Sequence, residues 1–381
     1  MSSSRAGSYQ SQPAGYRAFI PNPLPPNPPL SMDEELQALL SRADRFLGRL
    51  DGSIQTLPDP DLFVFMYVRK EAVLSSQIEG TQSSLNDLLE AEAEIFNENR
   101  PGDVNEVINY VRAMNYGLSR LKELPVSIRL IREIQGKLLE GVRGDRHHPG
   151  ELRTSQNWIG PAGCTLNEAS YVPPPPDRVI PCLGDLEAFI HSENPLPSLI
   201  KTGLIHAQFE TIHPFLDGNG RVGRLLITFL LCEKEILLTP VLYLSWYFKR
   251  HRDRYYELLQ AVRDKGNWEG WLKFFLEGIS EVAAEATQTA RQIVSLRENH
   301  RQLITKEFGR AAGNGLTVLE TLYKSPIVRV KDVAKLTNSS YTAANNLMYK
   351  FVAHGLLAEV TGYARNRRFR YNTYIDLFSD H

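Results

Sequence analysis

From about residue 33 to 300, apolar side chains recur at spacings of three and four, the period of a helix that buries one face. Leu36, Leu39, Leu40, Leu47 and Leu50 predict a helix over residues 33–50, with Ser31 as its cap. The same period predicts a second helix over 62–79, stopped by Gly80. Further helices are expected over 85–97, 103–121, 128–140, 181–191, 198–210, 219–234 and 251–265, then one or two long ones over 268–308. The rhythm breaks at 154–176. There, residues 157–161 and 169–172 bracket a turn of Gly, Pro and Asn, which predicts a short β-hairpin. Prolines 173–176 end it, because proline cannot donate to a ladder. From 316 the pattern changes again. A helix over 316–323, the segment 330–335, a helix over 341–354 and short stretches either side of Thr361-Gly362 give the layout of a winged helix-turn-helix.

Residues 1–30 are rich in Ser, Gly and Pro, and 21–29 favours polyproline II geometry. This part is either a disordered tail or an extended arm laid on the surface. The reading divides the chain into 1–30, a helical domain over 31–300 and a winged helix-turn-helix domain over 301–381. The expected fold class is mainly α with one short β-hairpin.

Bulk composition narrows the setting without naming a chemistry. The 381 residues are 42% hydrophobic and 23% charged, ordinary for a globular chain with a sizeable core. The formal net charge of -1 advertises no polyanion partner for the whole molecule. Cys164, Cys182 and Cys232 form no CxxC pair, which argues against a disulfide framework or a zinc site and fits a reducing cytoplasm. Residues 1–10 are too polar for a signal peptide, and the longest apolar run, 225–231, is too short to span a bilayer. A cytoplasmic protein with no membrane partner is expected.

The densest chemistry lies in His213-Pro214-Phe215-Leu216-Asp217-Gly218-Asn219-Gly220-Arg221-Val222-Gly223-Arg224. Gly218, Asn219 and Gly220 tolerate unusual backbone angles, so their N–H groups can converge into an anion nest. A helix follows at once, and its positive end adds to the attraction for phosphate. Arg221 and Arg224, three apart, can fork onto further phosphate oxygens. Asp217 supplies a hard oxygen suited to Mg2+. A neutral His213 at the loop entrance can take a proton from an attacking hydroxyl.

This string resembles the Fic family signature, HPFx(D/E)GNGRxxR, at every specified position, and the resemblance covers about residues 33–300. It implies a helical bundle around the loop and a protein adenylyltransferase. The enzyme would move AMP from ATP to a Ser, Thr or Tyr hydroxyl of a protein, itself included. By that resemblance His213 is the base and Asp217 the magnesium ligand. Gly218, Asn219, Gly220, Arg221, Val222, Gly223 and Arg224 hold the nucleotide. The hairpin, through Ile159, Gly160, Tyr171 and Val172, is the flap that pairs with an extended target segment. Tyr255 and Tyr256 border the adenine, although helical pattern alone reads one as core and the other as surface. Family members often self-associate, which implies a homodimer.

Ser75 and Glu79 share a face at four-residue spacing. Glu79 sits in a last helical turn, where the dipole disfavours a negative charge unless a cation offsets it. The segment resembles the Fic inhibitory motif, (S/T)xxxE(G/N), and the resemblance pairs Glu79 with Arg224 so that ATP binds unproductively. Other readings stay open: transfer of another phosphate-linked group, removal of AMP, or a nucleotide-sensing DNA-binding regulator. For the last, residues 316–381 hold nine Lys/Arg against five Asp/Glu, with Arg365, Arg367, Arg368 and Arg370 clustered where a wing would be. DNA binding and protein interaction are equal expectations for this module.

Overall fold

In chain order, the computed structural model, which describes residues 5–55, 60–161, 163–363 and 365–379, begins with an antiparallel hairpin of β1 (Gly7–Ser11) and β2 (Arg17–Pro21). The helical body then runs through α1 (Glu34–Gln55), α2 (Asp61–Ile78), α3 (Leu85–Glu92), α4 (Val104–Arg120) and α5 (Ile128–Leu139). It continues with α6 (Pro176–His191), α7 (Ser198–Ile212), α8 (Asn219–Glu233), α9 (Ser245–Arg250), α10 (Arg252–Lys265) and α11 (Trp268–Glu307). The C-terminal part comprises α12 (Ala312–Leu322), β3 (Ile327–Arg329), α13 (Val330–Leu336), α14 (Tyr341–Ala353), β4 (Ala358–Glu359), β5 (Arg368–Arg370) and α15 (Asn372–Ile375). Among the described residues no helix is long and apolar enough to cross a membrane.

Burial explains the layering. α1 hides Leu36, Ala43, Leu47, Leu50 and Ile54 against α11, the amphipathic stripe its spacing predicts. α7 is buried on every side from Thr202 through Ile212, so it forms the centre of the bundle rather than a surface layer. α8 is buried nearly as completely. α2 packs on α4 and α9 and brings its C-terminal end against α8.

Several boundaries differ from the sequence reading for local reasons. Asp33, not Ser31, caps α1, accepting the Leu36 N–H at 2.8 Å, while the Ser31 N–H goes to Glu269. α3 stops at Glu92, and Glu94 follows with a positive φ of 57°. α6 starts at Pro176, whose fixed φ suits a first helical position, and carries Pro181 inside. The long segment from 268 is one helix of 40 residues, about 60 Å at 1.5 Å per residue. α9 is a short addition, and the 330–335 segment is the short helix α13.

Within the 1–30 segment, the β1–β2 hairpin was not expected from its Ser, Gly and Gln content. Tertiary contacts hold it. Phe19 is fully buried, its N–H donates to the Val172 carbonyl at 2.9 Å, and Arg5 makes two 2.8 Å bonds to Glu269. Residues 1–4 of this segment lie outside the described residues, as does Asp380 of the C-terminal charge count.

The C-terminal strands form one antiparallel sheet of order β3-β5-β4 beside α13 and α14. This part leans on the helical body. The Arg368 Nε donates to the Ala93 carbonyl at 2.9 Å, Arg370 reaches Asn86 and Arg329 reaches Glu94. The Phe378 ring meets Tyr67 of α2 edge-on at 5.2 Å.

Candidate functional site

The loop between α7 and α8 is built from the inside. α7 ends at His213, which takes a left-handed φ of 50° and turns the chain. Its carbonyl is held by Arg153 Nε at 2.9 Å, and the same guanidinium donates to Pro174 O at 2.5 Å. Asn157 donates to Phe215 O at 2.8 Å. Asn219 closes the turn with both ends of its amide, accepting from Phe215 N at 2.8 Å and donating to Phe215 O at 2.7 Å. Gly218, at φ 81°, supplies the backbone geometry that lets α8 begin at Asn219. Gln135 fixes the Asp217 carbonyl at 3.1 Å from beneath. Early N–H groups of α8 therefore point out of a rigid loop, without intrahelical acceptors.

Asn219 thus shapes the loop through its side chain, while Gly218 and Gly220 keep its backbone bare. The two arginines part company. Arg221, 2% exposed, turns to Glu106 at 3.0 Å and to Asp217 at 3.4 Å. Arg224, equally buried, donates from Nε to Ser75 Oγ at 2.8 Å and from Nη2 to Ser75 O at 3.0 Å and Glu79 Oε1 at 2.7 Å. They do not form the common fork that three-residue spacing suggested, because each is claimed by a different helix. Gly220 lets Glu79 approach: a Cβ there would lie 2.2 Å from Glu79 Oε1. Val222 is a core residue, 1% exposed.

Electrostatics follow from this packing. Burial, then Arg263 and Arg153, push the His213 imidazole down to about 3, so it is neutral at pH 7. Its Nδ1 is buried without a hydrogen-bond partner among the described residues. Burial works to raise the Glu79 pKa, but Arg224 overrides it and holds the carboxylate below its usual range. Burial opposes the Arg224 charge, and Glu79 more than offsets that, holding its pKa above the usual arginine value.

The remaining expected residues divide into rim and core. Ile159 and Tyr171 form an antiparallel bridge with N···O distances of 2.8 and 3.0 Å. Ile159 and Gly160 are exposed, whereas Tyr171 and Val172 are buried. Tyr171 donates to Thr211 O at 2.6 Å, and the Val172 carbonyl is taken by Phe19, so these two anchor the hairpin. Tyr255 corrects the adenine expectation. It is 1% exposed, and its hydroxyl meets His206 Nε2 at 2.9 Å, while His206 Nδ1 binds Gly223 O. Only Tyr256, 39% exposed, offers a ring face.

Sequence reasoning missed Arg153, Asn157, Gln135 and Glu106, which position the loop from outside it. Nothing in their local spacing marks them. It also missed Glu210, whose signal was its place one helical turn before His213 on α7. Among the described residues no group of three or more His, Cys, Asp or Glu is arranged to hold a metal. Asp217 and Glu79 both present partly exposed carboxylates at the loop, and Glu79 is held by Arg224; Asp217 suits a magnesium ion that takes most of its ligands from phosphate and water.

Comparison with known proteins agrees with this geometry. Residues 37–119 match the Fic/DOC family N-terminal region, and residues 125–231 match the Fic/DOC family. A probable protein adenylyltransferase of Aquifex aeolicus is 30% identical over 208 residues, 53% of this chain and 57% of that protein. The protein adenylyltransferase Fic of Drosophila grimshawi is 29% identical over 176 residues, 45% of this chain and 33% of that protein. The chain thus spans about half the length of the first relative and a third of the second. Among solved structures, a Fic family protein from Desulfovibrio desulfuricans G20 aligns with a TM-score of 0.58 at 18% identity, covering 90% of this chain and 97% of its own. A Fic domain containing signaling protein from Bacteroides thetaiotaomicron aligns at 0.51 and 18% identity, covering 68% of this chain and 95% of its own. These two likenesses establish the fold. With both segments matched in order and the complete signature running from the end of α7 into α8, the chain carries a Fic/DOC family domain preceded by the family's N-terminal region.

Proposed function

We propose that this chain is a protein adenylyltransferase that moves AMP from ATP to a hydroxyl side chain of a protein. One observation carries the reading: a neutral imidazole stands at the entrance of a loop, pinned by neighbouring side chains, that feeds a helix N-terminus. The names of the similar proteins support it. In this reading the phosphates of ATP lie on the bare backbone of Gly218–Gly220. The target hydroxyl oxygen bonds to the α-phosphorus, the bond to the bridging oxygen of pyrophosphate breaks, and the hydroxyl proton passes to His213. Mg2+ held at Asp217 would neutralise phosphate charge. The exposed rim at Ile159 and Gly160 would pair with the target segment.

The Glu79–Arg224 pair gives the proposal a brake. Arg224 already spends three bonds on Ser75 and Glu79, so it is not free for a phosphate. Intact-mass measurement of wild type, Glu79→Gly and His213→Ala after incubation with magnesium and ATP tests the scheme. AMP-sized increments on Glu79→Gly alone are expected. A transferase that still turns over as His213→Ala would sink the base assignment. Loss of AMP from a previously modified protein, measured the same way, would point instead to the reverse reaction.

For residues 301–381 we propose a winged helix-turn-helix. α14 contains no acidic residue, exposes Tyr341 and Tyr349, and carries Arg367 against Asn345 and Tyr349. Such a face favours duplex DNA, and a steep loss of binding with salt would be its mark.

A further inference from the structure

Two carboxyl groups lie flush against α8, one turn apart. A Cβ on Gly220 would meet Glu79 Oε1 at 2.2 Å, and a Cβ on Gly223 would meet Glu210 Oε1 at the same 2.2 Å. The first is paired with Arg224. Glu210 is 6% exposed, and its Oε1 is buried with no hydrogen-bond partner among the described residues. Its backbone carbonyl is engaged by Arg263 Nη2 at 3.2 Å, which fixes the end of α7 and leaves the carboxyl in place. Burial pushes that carboxyl up to about 7 against the pull of Arg224. An unsatisfied buried oxygen is unfavourable for the fold on its own, and such orphans call for an explanation in a ligand or a function.

Position along α8 identifies the partner. The phosphate seat is the first turn, at Asn219 and Gly220. Glu210 touches the next turn, about 4.5 Å further along the axis. The half-exposed Tyr256 ring lies within electrostatic reach of Glu210, Arg224 and Glu79. A nucleotide whose phosphates sit on the first turn must place its sugar within one bond-chain of them, and an aromatic face beyond the sugar suits a base. We infer that Glu210 reads the sugar of the nucleotide, its carboxyl, seated in the space that Gly223 leaves on α8, taking up a ribose hydroxyl. The inference rests on the proposed docking of ATP phosphates at the start of α8. It makes Glu210 a specificity residue for ribonucleotides, because a site built around a hydroxyl leaves a buried acceptor unpaired when that hydroxyl is missing.

The test compares ATP, 2′-deoxy-ATP and 3′-deoxy-ATP in the Glu79→Gly chain, with Glu210 kept or replaced by Gln or Ala. AMP transfer is read by intact mass, and binding by calorimetry. With Glu210 present, at least one deoxynucleotide should lose about 10- to 100-fold in kcat/KM and in affinity. Glu210→Ala should bring the nucleotides to near equality by weakening ATP alone, and Glu210→Gln should retain part of the preference. An unchanged sugar preference in Glu210→Ala, with all three nucleotides weakened together, overturns the inference and leaves Glu210 a packing residue. Glu210→Gln keeps the shape of the side chain, so its ratio decides the matter even where Glu210→Ala folds poorly. Absence of transfer from every nucleotide would count against the adenylyltransferase reading alone, since sugar discrimination in binding still judges Glu210.

Discussion

The loop at 213–224 and the C-terminal module at 312–379 both look like dense polar chemistry in sequence, yet they spend their arginines differently. At the loop, Arg221 and Arg224 are both 2% exposed and face acids across the interior of one bundle. In the module, the clustered arginines scatter. Arg368 is buried against Ala93 and Arg370 bonds Asn86, so both brace the module on the helical body. Arg365 stays exposed, and Arg367 lies on α14. A run of like charges therefore overstates a binding face when half of it serves as a docking contact, whereas a loop locked by the Asn219 amide and by Arg153, Asn157 and Gln135 keeps its chemistry where the sequence places it.

The sharpest break of this comparison is at the histidine. His213→Ala should lower AMP transfer by about 10²–10⁴-fold with nucleotide affinity largely kept, measured by single-turnover transfer and calorimetry. Next, Glu79→Gly should raise transfer by about tenfold or more, since it frees a buried guanidinium from a charge-assisted bond to a partly exposed acid. An unchanged rate would mean the pair is only structural. In the module the readout is stability. Arg368→Ala should cost about 1–3 kcal/mol by leaving the Ala93 and Asn366 carbonyls without their donor, seen in denaturant unfolding. Arg365→Ala should stay within about 0.5 kcal/mol, as an exposed change with no such contact among the described residues. Equal effects at 365 and 368 would erase the distinction between wing and brace. Finally, kcat at saturating ATP should be flat on its acid side to about pH 5. The reason is the sign of the His213 shift: burial holds it at about 3, so the imidazole stays neutral well below the ordinary histidine value of about 6.5. A fall with a midpoint near that ordinary value would mean the imidazole is more solvated than this packing gives.

The sequence by itself determined what depends on neighbours within a few residues. The three-and-four spacing marked the helices, the Gly-Asn-Gly run at the start of α8 marked the loop, and the Ile159–Tyr171 bridge was legible from its flanking turn residues. Ser75 and Glu79 were legible as one helix face, although their meeting with Arg224, 145 residues away for Glu79, was implied only by family resemblance. Tertiary structure decided the rest. Arg221 finds Glu106 across 115 residues, and Arg368 finds Ala93 across 275. Tyr255 turns inward to His206 while Tyr256 stays at the surface, and β2 forms because Val172 and the start of α11 hold its hairpin. Periodicity encodes which face of an element is apolar. It does not encode which distant element will cover that face, and the polar partners follow from that choice.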